Sequence, residues 1–236
     1  MKKIGILDCL YPEKCAGCEE IIEDGKYLCD YCSLKMNNTN YKLMCSKCGF
    51  EKDYCRCKIR EYHYLGAVST FKNSGIAKKV YYSYKLGRRE ELADIFANSA
   101  ARAVKAVFGD TRFDAVCCVP TAYRSKLKRG FDHGEQIALK LAGKLNTQFL
   151  TDVLKSRHFR PLQHKSTFAQ RVENVRGKYY TDKRINADRI LIFDDILTTG
   201  ATLDECAKEL LFAGAKEVFC VCILATYPKN KTNGGK

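Results

Sequence analysis

Arg189-Ile-Leu-Ile-Phe-Asp-Asp-Ile-Leu-Thr-Thr-Gly-Ala-Thr202 is the stretch whose reading decides the fold. An apolar run, Ile190 to Phe193, is followed by two adjacent carboxylates, Asp194 and Asp195. Small residues then lead from Thr198 and Thr199 through Gly200 and Ala201 to Thr202, where a helical pattern starts. Such an order reads as a buried parallel strand, a tight loop and a helix N-terminus.

The chemistry of that order suggests a phosphorylated sugar as ligand. Free backbone N–H groups and the positive end of a helix dipole, with the hydroxyls of Thr198, Thr199 and Thr202, make a cradle for a phosphate. Gly200 lets the backbone approach closely. Asp194 and Asp195, at the strand's carboxyl end, suit a vicinal diol or the waters of a divalent ion. Phosphate and diol on one ligand describe a ribose 5-phosphate. The plainer reading is an ordinary connection in which Thr202 is the N-cap and the aspartates are solvated.

Upstream, Phe113-Asp-Ala-Val-Cys-Cys-Val-Pro-Thr-Ala122 is an apolar strand ended by Pro120, placed to be the first ligand-bearing strand of a doubly wound sheet. The loop after it carries Arg124, Lys126, Lys128 and Arg129, enough positive charge to neutralise a pyrophosphate or simply a solvated basic loop. A helix over Glu135–Leu145 and a strand near Phe149–Leu154 follow. Residues 155–177 are polar and basic, with Arg157, Arg160, Lys165 and Arg171; a segment of this kind inside a compact domain is usually functional.

Further out, Tyr62 to Phe71 fits a strand, and helices are expected over Ile76–Tyr84 and Arg89–Val107. In the second, Leu92, Ile95, Phe96, Ala100, Ala103 and Val107 recur at near-helical spacing and mark one buried face. Lys216 to Ala225 reads as a last strand. The polar tail from Pro228 to Lys236 is expected to be disordered.

The chain has 236 residues and 14 cysteines, nine of them within the first 57 positions. Eight form close pairs: Cys15/Cys18, Cys29/Cys32, Cys45/Cys48 and Cys55/Cys57. Each pair places two thiolates within reach of one tetrahedral ion, and two pairs close a structural zinc site. Four pairs make two sites, with sequential pairing the simplest arrangement and an interleaved one open on spacing alone. Four-thiolate sets also suit iron. So short a segment buries little core, so metal binding would supply its folding energy. Cys117, Cys118, Cys220 and Cys222 lie in apolar runs and read as core.

The formal net charge is +14, unevenly spread: residues 1–64 carry 11 Lys+Arg against 10 Asp+Glu, and residues 65–236 carry 30 against 17. The basic surface therefore belongs to the second part of the chain and points towards polyanions, single-stranded DNA among them. Phe131, Phe159 and Phe168 interleave with the basic residues, as stacking on bases requires. No stretch is long and apolar enough to span a membrane, and Asp8, Glu13 and Lys14 interrupt any signal-peptide core, so the expected location is the cytoplasm.

Taken together, the cysteine module, Val119-Pro120, Lys128-Arg-Gly-Phe-Asp-His133, Gln163 with Arg171-x-x-Asn174, and Phe193 to Thr202 resemble the ComF family. The resemblance runs from about Cys15 to Ala225. It implies a type I phosphoribosyltransferase-like, mainly parallel α/β domain at 61–236 with a zinc module at 1–60, and a role in DNA uptake during natural transformation alongside competence proteins. It further implies that Mg²⁺ with phosphoribosyl pyrophosphate (PRPP) is held by Asp194 and Asp195 at the ribose and by Thr198, Thr199, Gly200, Ala201 and Thr202 at the 5-phosphate. Arg129, Gly130 and the Pro120-Thr121-Ala122 turn fall near the pyrophosphate. Arg157, Arg160, Lys165 and Arg171 are the candidate DNA contacts. Two readings follow: a PRPP-binding protein that handles single-stranded DNA, or an active phosphoribosyltransferase of base salvage without a DNA role. Where the family usually has Arg-Gly-Phe-Asn-Gln, this chain has Arg129-Gly-Phe-Asp-His133, an added carboxylate and imidazole beside the pyrophosphate.

Overall fold

The computed structural model describes residues 12–36, 39–87, 89–120, 132–157 and 168–227. Five strands, β1 (Gly66–Lys72), β2 (Ala115–Cys118), β3 (Gln148–Phe149), β6 (Arg189–Leu197) and β7 (Glu217–Ala225), form one sheet in the order β1-β7-β6-β2-β3. Every pairing in it is parallel, so each connection must cross a face of the sheet. The helices that make those crossings are α2 (Gly75–Gly87), α3 (Ala93–Phe108), α4 (His133–Lys144) and α6 (Ala201–Phe212). Two short strands, β4 (Lys155–Ser156) and β5 (Tyr179–Tyr180), pair antiparallel outside the main sheet, with α5 (Phe168–Glu173) between them in sequence. The N-terminal cysteine segment contributes α1 (Asp30–Met36).

Alternation along β6 separates two cores. Leu191 and Phe193 face α2, α3 and α4, where Tyr81, Tyr84, Phe96, Ile137 and Leu141 are fully buried. Ile190 and Ile192 face the other way, onto Leu203, Cys206 and Leu210 of α6 and onto Phe50 and Tyr64 from the N-terminal part. A sheet covered on both faces accounts for the continuous apolar run that the sequence shows there. Each such side chain contributes about 1.5–3 kcal/mol by leaving water. Cys117, Cys206, Cys220 and Cys222 are buried in the second core and act as small hydrophobes, while Cys118 is half-buried.

The elements differ from expectation at their ends, for local reasons. Strand β6 continues through Asp194 and Asp195 to Leu197, because β7 pairs with it as far as Leu197 opposite Ala225. Its other neighbour, β2, ends at Cys118 opposite Phe193. The strand expected from Tyr62 begins at Gly66, since Tyr62 and Tyr64 stack on each other instead, with centroids 4.8 Å apart. The strand near Phe149–Leu154 shrinks to Gln148–Phe149, and Asp152 turns the chain at φ 52°. Helix α4 begins at His133, two residues early, because Asp132 caps it: its carboxylate accepts the N–H groups of Gly134 (2.9 Å) and Glu135 (3.3 Å).

On the open side of β1, the Ala67 N–H donates to the Ser46 carbonyl at 2.8 Å, and the Thr39 hydroxyl donates to the Thr70 carbonyl at 2.9 Å. The N-terminal part thus lies along the sheet's edge. Cys9, the loop with Arg124, Lys126 and Lys128, and the tail from Pro228 lie outside the described residues.

Candidate functional site

The early end of β2 opens a notch at the carboxyl end of the sheet. The Val119 N–H makes the last bond to β6, donating to the Phe193 carbonyl at 2.9 Å, and Pro120 then leads away. Past that point nothing pairs with β6 on the β2 side among the described residues. Asp194 and Asp195 therefore project from a strand that is held on one side only. They line a pocket of about 190 Å³ with Val119, Pro120, Tyr179 and Thr202.

The two carboxylates differ. Burial, and next the charge of Asp195, push the Asp194 carboxyl up to about 7. The Asp195 N–H partly offsets this by donating to Asp194 Oδ1 at 2.8 Å. Asp195 is paired with the ammonium of Lys85, which α2 brings in from the side. Tyr81, one turn earlier on α2, lies beside the same carboxylate, and burial raises its phenol well above the usual range.

Past β6 the chain makes the tight loop that the sequence suggests. Gly200 is the N-cap of α6 at φ 78°, a conformation that glycine adopts without strain. A Cβ there would sit 2.9 Å from both the Tyr62 ring and the Tyr64 hydroxyl, so the close approach demanding glycine is to two tyrosines. Thr202 is not the N-cap. The Thr199 hydroxyl accepts the Ala201 N–H at 3.2 Å and is buried with its residue. Thr202 lines the pocket, with Tyr179 of β5 beside it.

Among the other sequence candidates, Pro120 reaches this pocket. Thr121, Ala122, Arg129 and Gly130 lie outside the described residues, as do Arg160 and Lys165. Arg157 continues the β4–β5 ladder, its N–H bonding the Lys178 carbonyl at 2.8 Å and its guanidinium lying 5.2 Å from the Tyr180 ring centre. Arg171 is exposed on α5. Asp132, the departure from the family pattern, has its carboxylate committed to the α4 N-terminus. His133 packs edge-on against Tyr84, with centroids 4.9 Å apart, and is buried.

Sequence reasoning missed Lys85, Tyr179, Arg56 and Arg60. Lys85 follows Val80, Tyr81 and Tyr84 along α2, and lies four residues from Tyr81, so a cation on the apolar stripe was the available signal. The arginines were hidden by the cysteines around them. Arg56 Nη1 donates to the Thr198 carbonyl at 2.6 Å, and Arg60 bonds the Asp204 carboxylate in the first turn of α6 at 2.7 Å.

The eight paired cysteines form two sets in sequential order, Cys15, Cys18, Cys29 and Cys32, then Cys45, Cys48, Cys55 and Cys57, with ligand atoms within 4.8 Å of one another in each set. A zinc–sulfur bond of about 2.3 Å puts neighbouring sulfurs of a regular tetrahedron about 3.8 Å apart. The sulfurs of Cys18 and Cys29, of Cys45 and Cys57, and of Cys48 and Cys55 are all 3.8 Å apart. Backbone amides already face the sulfurs: Cys29 and Gly17 donate to Cys15 Sγ at 3.3 and 3.4 Å. Burial raises the Cys15 thiol, but those amides, with the amide and thiol of Cys18, outweigh it and leave the group lowered to about 6, whereas burial pushes the Cys32 thiol of the same set upward. Both sets fit structural zinc. His63 is not in either set; its Nδ1 lies 3.0 Å from Asp204.

Residues 6–61 match the family model of the double zinc ribbon domain. The chain is 23% identical over 213 residues to the DNA utilization protein YhgH of Escherichia coli K12, covering 88% of this chain and 89% of the relative. It is 24% identical over the same length to the YhgH protein of Salmonella typhi. A purine phosphoribosyltransferase from Pyrococcus horikoshii aligns with 57% of this chain and 82% of its own at 18% identity, with a TM-score of 0.35. A double zinc ribbon leading into a doubly wound parallel sheet, with relatives matched over nearly their whole length, is the layout that the resemblance to the ComF family implies.

Proposed function

We propose that the chain binds Mg²⁺-PRPP in the notch beside β2 and uses it in handling single-stranded DNA. The observation that carries this reading is the half-buried acidic pair that lines the notch where β2 stops, one short loop before the N-terminus of α6. Asp194 and Asp195 would take the ribose hydroxyls and the waters of the metal; the loop from Thr198 to Thr202 would take the 5-phosphate at the positive end of the helix. Arg129 and the Pro120–Ala122 turn would meet the pyrophosphate. Mg²⁺, when bound, would supply neutralisation of that leaving group, and Asp194, Asp195 and the 198–202 loop would hold the anomeric carbon in position for displacement. Residues 1–60 form the zinc module in this reading, and residues 61–236 the PRPP domain.

A DNA role is supported by the relatives' name, DNA utilization protein, and by the 30 basic against 17 acidic residues of positions 65–236, more than one PRPP needs. Arg157 over the Tyr180 ring offers the pairing of cation and aromatic face on which a base stacks.

Calorimetry with Mg²⁺-PRPP, set beside the Asp194→Asn/Asp195→Asn variant, tests the site. Loss of binding in the variant is expected, and equal affinity would overturn the assignment. A parallel screen for pyrophosphate release against bases, ammonia donors and single-stranded DNA tests the use of the ligand. Turnover with a free base and no DNA binding would make the protein a salvage transferase instead.

A further inference from the structure

We infer that Arg56 is a positioning residue for the phosphate loop, and that metal binding at Cys45, Cys48, Cys55 and Cys57 is thermodynamically coupled to phosphate binding at residues 198–202. This rests on the PRPP reading above and adds to it a way in which the zinc module acts on the site.

Arg56 sits within Cys55-Arg56-Cys57, so a metal at this site fixes the backbone on both sides of it. The guanidinium lies 4.4 Å from the ring centre of the fully buried Phe50, and Nη1 reaches the Thr198 carbonyl at 2.6 Å. The same peptide then runs on beneath the loop. Arg60 holds Asp204 at 2.7 Å, the His63 N–H holds it at 2.6 Å, and the Tyr62 hydroxyl donates to the Thr199 carbonyl at 3.5 Å. Lys47, between Cys45 and Cys48, bonds the Tyr64 carbonyl at 2.6 Å and ties the other half of the metal site to the same strand of contacts.

Peptide planarity turns these contacts into an orientation. In a trans peptide the N–H points opposite to the C=O of the same unit. Holding the Thr198 and Thr199 carbonyls towards the module therefore turns the N–H groups of Thr199 and Gly200 away from it. Neither amide donates to a backbone carbonyl among the described residues. Two donors of the loop are thus aimed by residues that the second metal site anchors. The first site makes no such contact with the loop among the described residues. It packs near Ile76 of α2, where a Cβ on Gly17 would come 3.0 Å from that side chain.

Coupling of this kind is reciprocal: if a held metal pre-aims the loop, a bound phosphate must tighten the binding of that metal by the same factor. Coupled affinities commonly differ by roughly 5- to 150-fold, and a tightening of about tenfold, read as slower release of the metal, is expected here. The first metal serves as the internal control.

The test uses the full chain loaded with zinc and follows metal transfer to a chromogenic chelator with and without Mg²⁺-PRPP, alongside calorimetry of PRPP binding. One of two ions should be slowed about tenfold and the other left unchanged, and a Cys15→Ser/Cys18→Ser variant should retain the slowed ion. Arg56→Met should bind PRPP about tenfold more weakly and lose the protection while keeping its second zinc, and Arg56→Lys should regain part of both. PRPP binding to the wild type with both ions released as fast as before would overturn the coupling alone. So would Arg56→Met binding PRPP as tightly as the wild type. A wild type that binds no PRPP would overturn the PRPP reading and the coupling together. If Arg56→Met fails to fold, the wild-type release comparison by itself decides.

Discussion

Lys85 of α2 donates to the carboxylate of Asp195, joining an element outside the Arg189–Thr202 stretch to the acidic pair within it. The charge of Lys85 also helps to restrain the neighbouring Asp194, whose carboxyl burial and Asp195 together push up to about 7. Removing that cation as Lys85→Met is expected to raise the Asp194 carboxyl further. The pH at which Mg²⁺-PRPP binding reaches half its full strength should then move upward. Calorimetry between pH 6 and pH 9 would show it, and an unchanged midpoint would exclude Lys85 from the site's electrostatics.

If the notch takes a cation and a diol as proposed, their binding in the wild type requires the ionised Asp194. Below about pH 7 a proton must leave first. Affinity should therefore rise with pH, by about tenfold per unit while one proton is released, and level off above about 7. Stability of the free protein carries the opposite sign. A carboxyl raised from 3.8 to about 7 on folding makes its full contribution below 3.8 and loses it as pH rises through 7. Thermal unfolding of the Asp194→Asn variant should lack that fall between pH 4 and pH 7, and a fall of equal size would assign it elsewhere.

Elemental analysis of the purified chain is expected to give two zinc ions per molecule, one for each four-thiolate set. Cys15→Ser with Cys18→Ser should leave one ion and a folded sheet, visible as an unchanged cooperative transition of the core. Iron in place of zinc, or loss of both ions in this variant, would contradict two independent structural sites.

Gly200→Ala forces a side chain onto a residue at φ 78° and into two tyrosines. A destabilisation of about 2 kcal/mol is expected from the backbone conformation and the displaced rings. Denaturant unfolding measures it, and a neutral result would mean that the loop relaxes freely.

If the basic surface serves single-stranded DNA, affinity should fall steeply with salt through counterion release. Charge reversal at Arg157, Arg160 and Lys165 should flatten that slope. Mobility assays over a salt series read both, and an unchanged slope in the variant would limit these residues to other work.

The parallel sheet was legible because strands covered on both faces leave long apolar runs, and Ile190 to Phe193 is one. The acidic pair and the loop after it were legible through residue type and order. Their setting was not. That β6 continues past the carboxylates depends on β7 reaching Ala225, and that the notch opens depends on β2 stopping at Cys118; each is a fact about another strand. Lys85 was hidden because a lysine within a helix is ordinarily solvated, and only packing of α2 onto the sheet brings it to Asp195. Arg56 and Arg60 were masked by their metal-binding neighbours. Asp132 looked like an intruder beside the pyrophosphate, whereas its carboxylate occupies the N-terminus of α4.

The contacts from Ser46 to Ala67 and from Thr39 to Thr70 lie on the side of β1 that no strand of the sheet occupies. An uncovered strand edge is a template for pairing with another chain, and proteins commonly blunt such edges. The zinc ribbon does so here. Stripping the metal from this protein would therefore do more than loosen a small module: it would bare a seven-residue strand, buried along most of its length, to its neighbours in solution. Solubility of the apo chain would then depend on protein concentration, with self-association as the visible consequence of metal loss.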